Sequence, residues 1–198
     1  MTRRRGRQLD DALLEAAWEE LISGSYAAFT VEAVAHRART SRHVLYRRWP
    51  TRGALALAAI HQHDLRNARA TPDTGSLRDD VIELLQHAND NRQRMAAIIS
   101  MHVGTYYHET GTTPSDLREA LLSHQAAHMD TIIRRATERG EIDPARVSPR
   151  IVSLPHDLFR HEVIMTLRPV PSSTIIEIVN EVFLPLITGR LPVAKPPA

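Results

Sequence analysis

The chain has 198 residues, 25 basic against 23 acidic side chains, few aromatics and no cysteine. The missing cysteine excludes disulfides and thiolate chemistry. The lack of a membrane-length apolar run or a signal-peptide core predicts a cytoplasmic protein without a membrane partner. Ala, Leu, Arg and Glu are abundant, so the expected fold class is all-α, with a small domain joined to a larger one.

In chain order, a basic arm at residues 1–7 (Arg3, Arg4, Arg5 and Arg7) precedes an amphipathic helix from about Gln8 to Ser23. Thr30 is a good N-cap, followed by Val31, Val34, Ala35 and Ala38 at helical spacing. Arg39-Thr40-Ser41 breaks that pattern. Ser41 can cap a second short helix, from about Arg42 to Trp49, which Pro50 stops. There Val44 and Leu45 supply packing, while Arg42, His43, Tyr46 and Arg47 lie on or beside the opposite face. Thr51 can cap the next helix, which runs to about Arg69 and places Arg52 in its first turn near free backbone donors.

Charge follows the same division. Residues 30–52 contain six arginines and one acid, Glu32, hence +5. Residues 1–52 carry ten basic and six acidic groups (+4), and the remainder fifteen and seventeen (−2). A cationic run alone is more often a solvated face. Joined to two short helices and an aromatic stop, it predicts a helix-turn-helix at about 30–49 that enters the DNA major groove. The expected contacts are Thr30, Arg39, Ser41, Arg42, His43, Tyr46, Arg47 and Arg52.

Beyond it, Thr71-Pro72-Asp73-Thr74-Gly75 breaks the helical pattern. Ser76 with Asp79 opens a helix to about Asn89, and another covers about Arg92 to Tyr107. Thr113-Pro114-Ser115-Asp116 starts a long helix to Arg139, closed by Gly140. Ser148-Pro149 starts the next, to about Leu167, where Pro155 is expected to introduce a kink. The last, about Ser172 to Thr188, contains Pro185 near its end. About nine helices are expected. Residues 1–52 form the DNA-binding domain, 53–190 an effector-binding and dimerisation domain, and 191–198 a disordered Pro-rich tail.

The last helix carries Ile175, Ile176, Val179, Val182, Phe183, Leu186 and Ile187, a stripe wider than one packing face needs. This predicts a homodimer through the last two helices. A twofold dimer reads a palindromic operator in double-stranded DNA, with half-sites ~34–36 Å apart or a multiple of that. In the middle helices, polar groups among apolar neighbours suit a small-molecule effector pocket. Met95, Ile99, His102 and Tyr106 share one face, His124 and His128 another, and Phe159 and His161 follow beside Asp157 and Arg160. Any one of these histidines taken singly is more often a residue satisfied by a neighbour or lying at the surface. His124 and His128 have the i, i+4 spacing of metal ligands, but no HExxH pattern accompanies them, so no metal and no cofactor are expected. No Gly-x-Ser-x-Gly elbow, phosphate-binding loop or dinucleotide fingerprint is present, so an enzyme is not expected.

Phe29-Thr30, Val34-Ala35, Ala38, Ser41, Leu45-Tyr46, Trp49, Arg52 and Leu55, in this order and spacing, resemble the TetR family of transcriptional regulators. The resemblance is close over about residues 8–60 and beyond them covers only helical character and length. It implies that Thr30 contacts phosphate from the start of its helix and that Tyr46 does so through its hydroxyl. Arg52 would do so where the family usually has Lys, with Arg42 and His43 at the base-facing start of the recognition helix. Three positions depart from the pattern. Arg39 stands where the family usually has Gly, His43 replaces a small residue, and Val44 replaces a frequent Thr. The implied function is a homodimeric repressor released from its operator by a small molecule. The alternative is a helical protein-protein interaction module using the same basic surface.

Overall fold

The computed structural model describes residues 7–24, 26–103 and 105–189, without the side chains of 7, 92, 93, 95, 102, 103, 118 and 121–126. Residues 1–6 of the arm, the whole expected tail (191–198) and the side chains of Met95, His102 and His124 therefore lie outside the described residues. The described elements are α1 Arg7–Ser23, α2 Val31–Arg37, α3 Arg42–Tyr46, α4 Arg52–Arg66, α5 Leu77–Asp90, α6 Arg92–Val103, α7 Tyr106–Thr110, α8 Pro114–Glu138 and α9 Pro149–Thr166. A final helix follows as α10 Ser172–Glu177, a π-helical segment Ile178–Phe183 and α11 Leu184–Thr188. The fold is all-α; among the described residues there are eleven α-helices and no strand.

The two additional helices have local causes. The helix expected over 92–107 is two, α6 and α7, and the sequence between them contains Gly104, a weak helix former. The last helix changes its winding ahead of Pro185. Proline has no N–H and its ring crowds the carbonyl four residues back. The preceding turn widens, so that Leu184 N–H donates to the Val179 carbonyl, five residues earlier.

The chain divides into two compact units, residues 1–68 with 92–122, and residues 69–91 with 123–198. In the first, α1 lies along α4. Trp18 stacks on His63 with ring centroids 3.8 Å apart, Gln62 Nε2 donates to Asp11 Oδ1 at 2.7 Å, and Arg66 pairs with Glu15. Leu13, Ala17, Leu21, Phe29, Val34, Leu45, Leu55 and Ile60 fill the core between the helices. Helix α6 joins through Arg94, whose Nε reaches both Asp64 oxygens at 2.7 and 2.8 Å, and through Ser100 Oγ, which accepts the Tyr26 N–H at 3.2 Å.

Helix α7 closes on the start of α4. Tyr106 is buried against Tyr26, edge to face at 5.4 Å. Gly53 allows the approach, since a Cβ there would stand 2.7 Å from Thr110 Cγ2 and 3.1 Å from Tyr106. Glu109, on α7, binds the Arg52 guanidinium through both carboxylate oxygens and accepts from Thr105 Oγ1 at 2.6 Å.

The second unit is built around the buried Asp80. It accepts from the Thr74 N–H (2.6 Å), Thr74 Oγ1 (2.8 Å) and Arg139 Nη2 (3.3 Å), so its charge is hydrogen-bonded and paired. Asn89 exchanges two bonds with the Val170 backbone, tying the end of α5 to the segment before α10. Helix starts follow their sequence signals. Ser76 Oγ accepts from Asp79 N, Ser148 Oγ from Ile151 N, and Thr113 and Asp116 cap each other reciprocally. Gly140 ends α8 at φ +74°.

The Arg52 hydrogen bonds hold the Glu109 carboxyl down at about 2. A carboxyl depressed on folding stabilises the fold above its ordinary value of 4.5 and loses that contribution as pH falls toward its folded value. Glu109→Gln is expected to cost about 1 kcal/mol at pH 7, the upper range for a partly exposed pair. In urea titrations the gap from wild type should close between about pH 4.5 and about pH 2.

Candidate nucleic-acid interface

The two-helix element is set by its caps. Thr30 adopts an extended backbone and its Oγ1 accepts from Ala33 N at 3.1 Å, leaving the hydroxyl hydrogen available to an external acceptor. Helix α2 ends in the hydrogen-bond pattern of a Schellman motif. Arg39 N–H donates to His36 O (3.1 Å) and Thr40 N–H to Ala35 O (2.9 Å), with Arg39 at φ +52°. The turn thus keeps the left-handed geometry that glycine usually supplies and places an arginine in it. At the end of α8 the same pair of bonds is made around Gly140, from Gly140 N to Thr137 O and from Glu141 N to Ala136 O.

Ser41 has the backbone of an N-cap, but its side chain makes no cap bond, contrary to expectation. Helix α3 is also shorter than expected and ends at Tyr46, although Trp49 N–H still reaches Leu45 O at 2.8 Å. Leu45 is the one buried side chain of α3, and it anchors the helix to the core. Its outer face carries Arg42, His43 and Tyr46, all exposed, with Arg47 following.

The six arginines of residues 30–52 fall into two groups. Arg37 is held by Glu20 (2.6 Å) and Glu19 (3.3 Å) on α1, Arg48 by Asp10 and the Val44 carbonyl, and Arg52 by Glu109. Arg42 makes one long contact with Glu32 at 3.4 Å, both side chains being well exposed. Among the described residues, Arg39 and Arg47 have no ion-pair or side-chain hydrogen-bond partner, nor do His43 and Tyr46. The outward cationic surface is therefore Arg39, Arg42 and Arg47, beside the Tyr46 hydroxyl.

Arg52 faces inward. Besides Glu109, it donates to the Phe29 carbonyl at 3.0 Å and to Thr105 Oγ1 at 2.9 Å, and its guanidinium lies over the Tyr26 ring, 4.7 Å from the centroid. Burial, with the nearby Glu109 charge, pushes the Tyr26 hydroxyl up to about 12. Arg52 thus braces the turn before α2 instead of standing open to solvent. Its partner Glu109 lies 57 positions away and belongs to no local pattern.

The expected effector residues are distributed over both units. Ile99 and Tyr106 belong to the first, where Tyr106 is committed to the aromatic core. His128, Phe159 and His161 belong to the second. Phe159 is buried, His128 Nδ1 is 2.7 Å from Thr71 Oγ1, and His161 is exposed. The buried histidine of α9 is His156, which is not among the effector residues expected from the sequence. It shares a face with Phe159 and Val163 at i, i+3 and i+7, so the spacing was a legible signal. Burial drives its imidazole down to about 4, keeping it neutral near pH 7.

Comparison with known proteins agrees with this architecture. The family model described as bacterial regulatory proteins, tetR family, matches residues 13–59. That of the tetracyclin repressor-like C-terminal domain matches residues 71–182. An uncharacterised HTH-type transcriptional regulator of Mycobacterium tuberculosis is 30% identical over 184 residues, covering 89% of this chain and 86% of its own. The DNA-binding transcriptional repressor TetR of Mycobacteroides abscessus is 29% identical over 137 residues, 69% of this chain and 72% of its own. A crystal structure of a TetR family transcription regulator superposes with a TM-score of 0.67 at 26% identity, covering 89% of this chain and 97% of that one.

Arg39 combines a strained backbone with an unpartnered charge, and two substitutions separate them. Arg39→Gly should raise stability in thermal or urea unfolding by up to about 1 kcal/mol, because glycine enters the left-handed region without steric cost. Arg39→Ala should give no such gain. Both should weaken DNA binding to a similar degree if the charge meets phosphate.

Proposed function

The chain belongs to the TetR family of bacterial regulatory proteins, and from that premise we propose that it is a homodimeric repressor released from a palindromic operator by a small molecule. It is a DNA-binding transcription regulator; dimerisation, repression and effector release are the proposed part. The observation that carries the DNA-contact assignment is the set of outward-facing polar groups on and beside α3, of which Arg39, Arg47, His43 and Tyr46 have no side-chain partner among the described residues and Arg42 only a long, exposed contact with Glu32. Arg39, Arg42 and Arg47 supply phosphate-neutralising charge, and Tyr46 and Thr30 offer hydroxyl donors to phosphate oxygens. Arg42 and His43 stand at the start of α3, the end of a recognition helix that meets base edges. Arg52 acts indirectly, by holding the turn from which α2 starts.

Dimerisation is supported by the way the last helix divides its apolar side chains. Ile175, Ile178, Val179, Phe183 and Ile187 are buried within the chain, whereas Ile176 and Leu186 remain exposed at 37% and 48%. Met165 and Leu167, at the end of α9, are exposed as well. Apolar groups at these positions suit an isologous contact in which each copy covers the other's surface. A monomer would present a single five-residue α3, which reads too few bases for specificity. Repression is supported by the Mycobacteroides abscessus relative, a DNA-binding transcriptional repressor. Release requires only that an effector bind better to a conformation in which the two recognition helices leave operator spacing. The equilibrium then shifts by that difference in affinity and by nothing else.

The first experiment is selection from a random double-stranded DNA library, with an enriched palindrome as the expected result. On the selected site, Tyr46→Phe should weaken binding evenly across sequences, and Arg42→Ala should also relax base preference. Equal losses with unchanged preference in both would refute the base-facing assignment of Arg42. Leu186→Glu should leave the helical circular-dichroism signal in place and convert the dimer to monomer in sedimentation. It should also abolish palindrome binding while sparing weak nonspecific binding.

A further inference from the structure

Within the second unit, α9 turns a mixed face inward, made of His156, Phe159 and Val163. Two polar atoms there are buried without a hydrogen-bond partner, His156 Nε2 and Arg160 Nη1. Their residues are one helical turn apart, so both side chains leave the same side of α9. His156 is itself only 9% exposed.

Their neighbours are already engaged. Arg160 Nη2 donates to Asp157 Oδ1 at 2.9 Å, and Asp157 Oδ2 accepts from Ser153 Oγ at 2.9 Å, so the guanidinium is fixed while its other amino group stays unused. His128, on α8, contacts Thr71 Oγ1 through Nδ1. Asp157, Arg160 and His128 are all near enough to act electrostatically on the His156 imidazole. A buried donor without an acceptor is rare, because its lost hydration is not replaced.

We propose that His156 Nε2 and Arg160 Nη1 form the polar end of a ligand site that takes the carboxylate of a small, otherwise apolar organic acid. A guanidinium only donates, which excludes a cationic or purely donating ligand group. A neutral imidazole protonated on Nε2 is a second donor. Two donors one turn apart suit the two oxygens of one carboxylate, and Phe159 and Val163 on the same face suit the apolar remainder. The identity of the ligand class rests on the effector-binding reading above, but the site can be tested without it.

The test uses the full chain with octanoate and benzoate as probes, and 1-octanol and benzyl alcohol as matched neutral compounds. Calorimetry and thermal shift should show saturable binding of at least one acid, with the matching alcohol about tenfold weaker or more. His156→Phe and Arg160→Met should each reduce acid affinity by a similar factor. In the wild type, the His156 Nε2 resonance, assigned by its loss in His156→Phe, should move on titration with the acid, which guards against a variant that merely misfolds. Three outcomes would overturn the proposal: no saturable binding of either acid, equal binding of acids and alcohols, or an Nε2 resonance that ignores the acid because a bound water already satisfies it. The DNA assay keeps the two readings apart. A chain that binds acid and stays on its operator refutes effector release by acids alone. A chain released by amines or neutral molecules, with no acid binding, refutes only the carboxylate site.

Discussion

The recognition helix is too short to hold its own position. Five residues with one buried side chain cannot repay the entropy of ordering, so α3 depends on the frame around it. That frame converges on Arg52. One guanidinium binds the Phe29 carbonyl at the entrance to α2, lies over Tyr26, and is gripped by Glu109 from α7. Gly53, directly after it, lets α7 come close enough for that grip. Chain segments far apart in sequence are thereby fixed at the base of the helix-turn-helix by a charged, half-buried cluster.

The same economy governs the other arginines. Arg37 and Arg48 pair with α1, which carries the acids Asp10, Glu19 and Glu20 in positions to meet them. These pairs tie α2 and the end of the recognition element to the first helix. Because they are partly exposed, each contributes modestly to stability, and their main effect is on orientation. What these pairs leave facing outward is a small set: Arg39, Arg42 and Arg47, with Tyr46 and Thr30, the groups proposed to meet DNA. Arg39 belongs to it because the turn tolerates an arginine in a left-handed conformation, exchanging backbone comfort for a cation beside α3.

The second unit handles its buried charge in two contrasting ways. Asp80 is fully engaged, with backbone, hydroxyl and guanidinium donors around its carboxylate, and serves as a structural pin. On α9, Arg160 pairs with Asp157 through one amino group and leaves the other unused, and the neighbouring imidazole is buried with an unpartnered nitrogen. In one packed unit a complete polar network and an incomplete one sit on different helices. The first specifies the fold, and the second is where a ligand's chemistry would be read. Among the described residues, no helix is long and apolar enough to cross a membrane.

The sequence by itself determined the helical class, nearly every helix start, and the order of the reading element, because caps and apolar spacing are local. Thr30, Thr51, Ser76, Thr113 and Ser148 all lie at the starts expected of them, and Gly140 closes its helix. Even the division between α6 and α7 and the widened turn before Pro185 have local causes that composition displays, although their outcome does not follow from spacing alone. Tertiary structure alone decided which charges face outward. Arg52 and Arg47 look alike along the chain, yet one meets Glu109, 57 residues on, and the other makes no ion pair or side-chain hydrogen bond among the described residues. Likewise His161 and His156 differ on paper only by helical phase, but packing leaves one exposed and buries the other. A charge or an imidazole takes its role from partners brought to it by folding, and sequence distance carries no record of that approach.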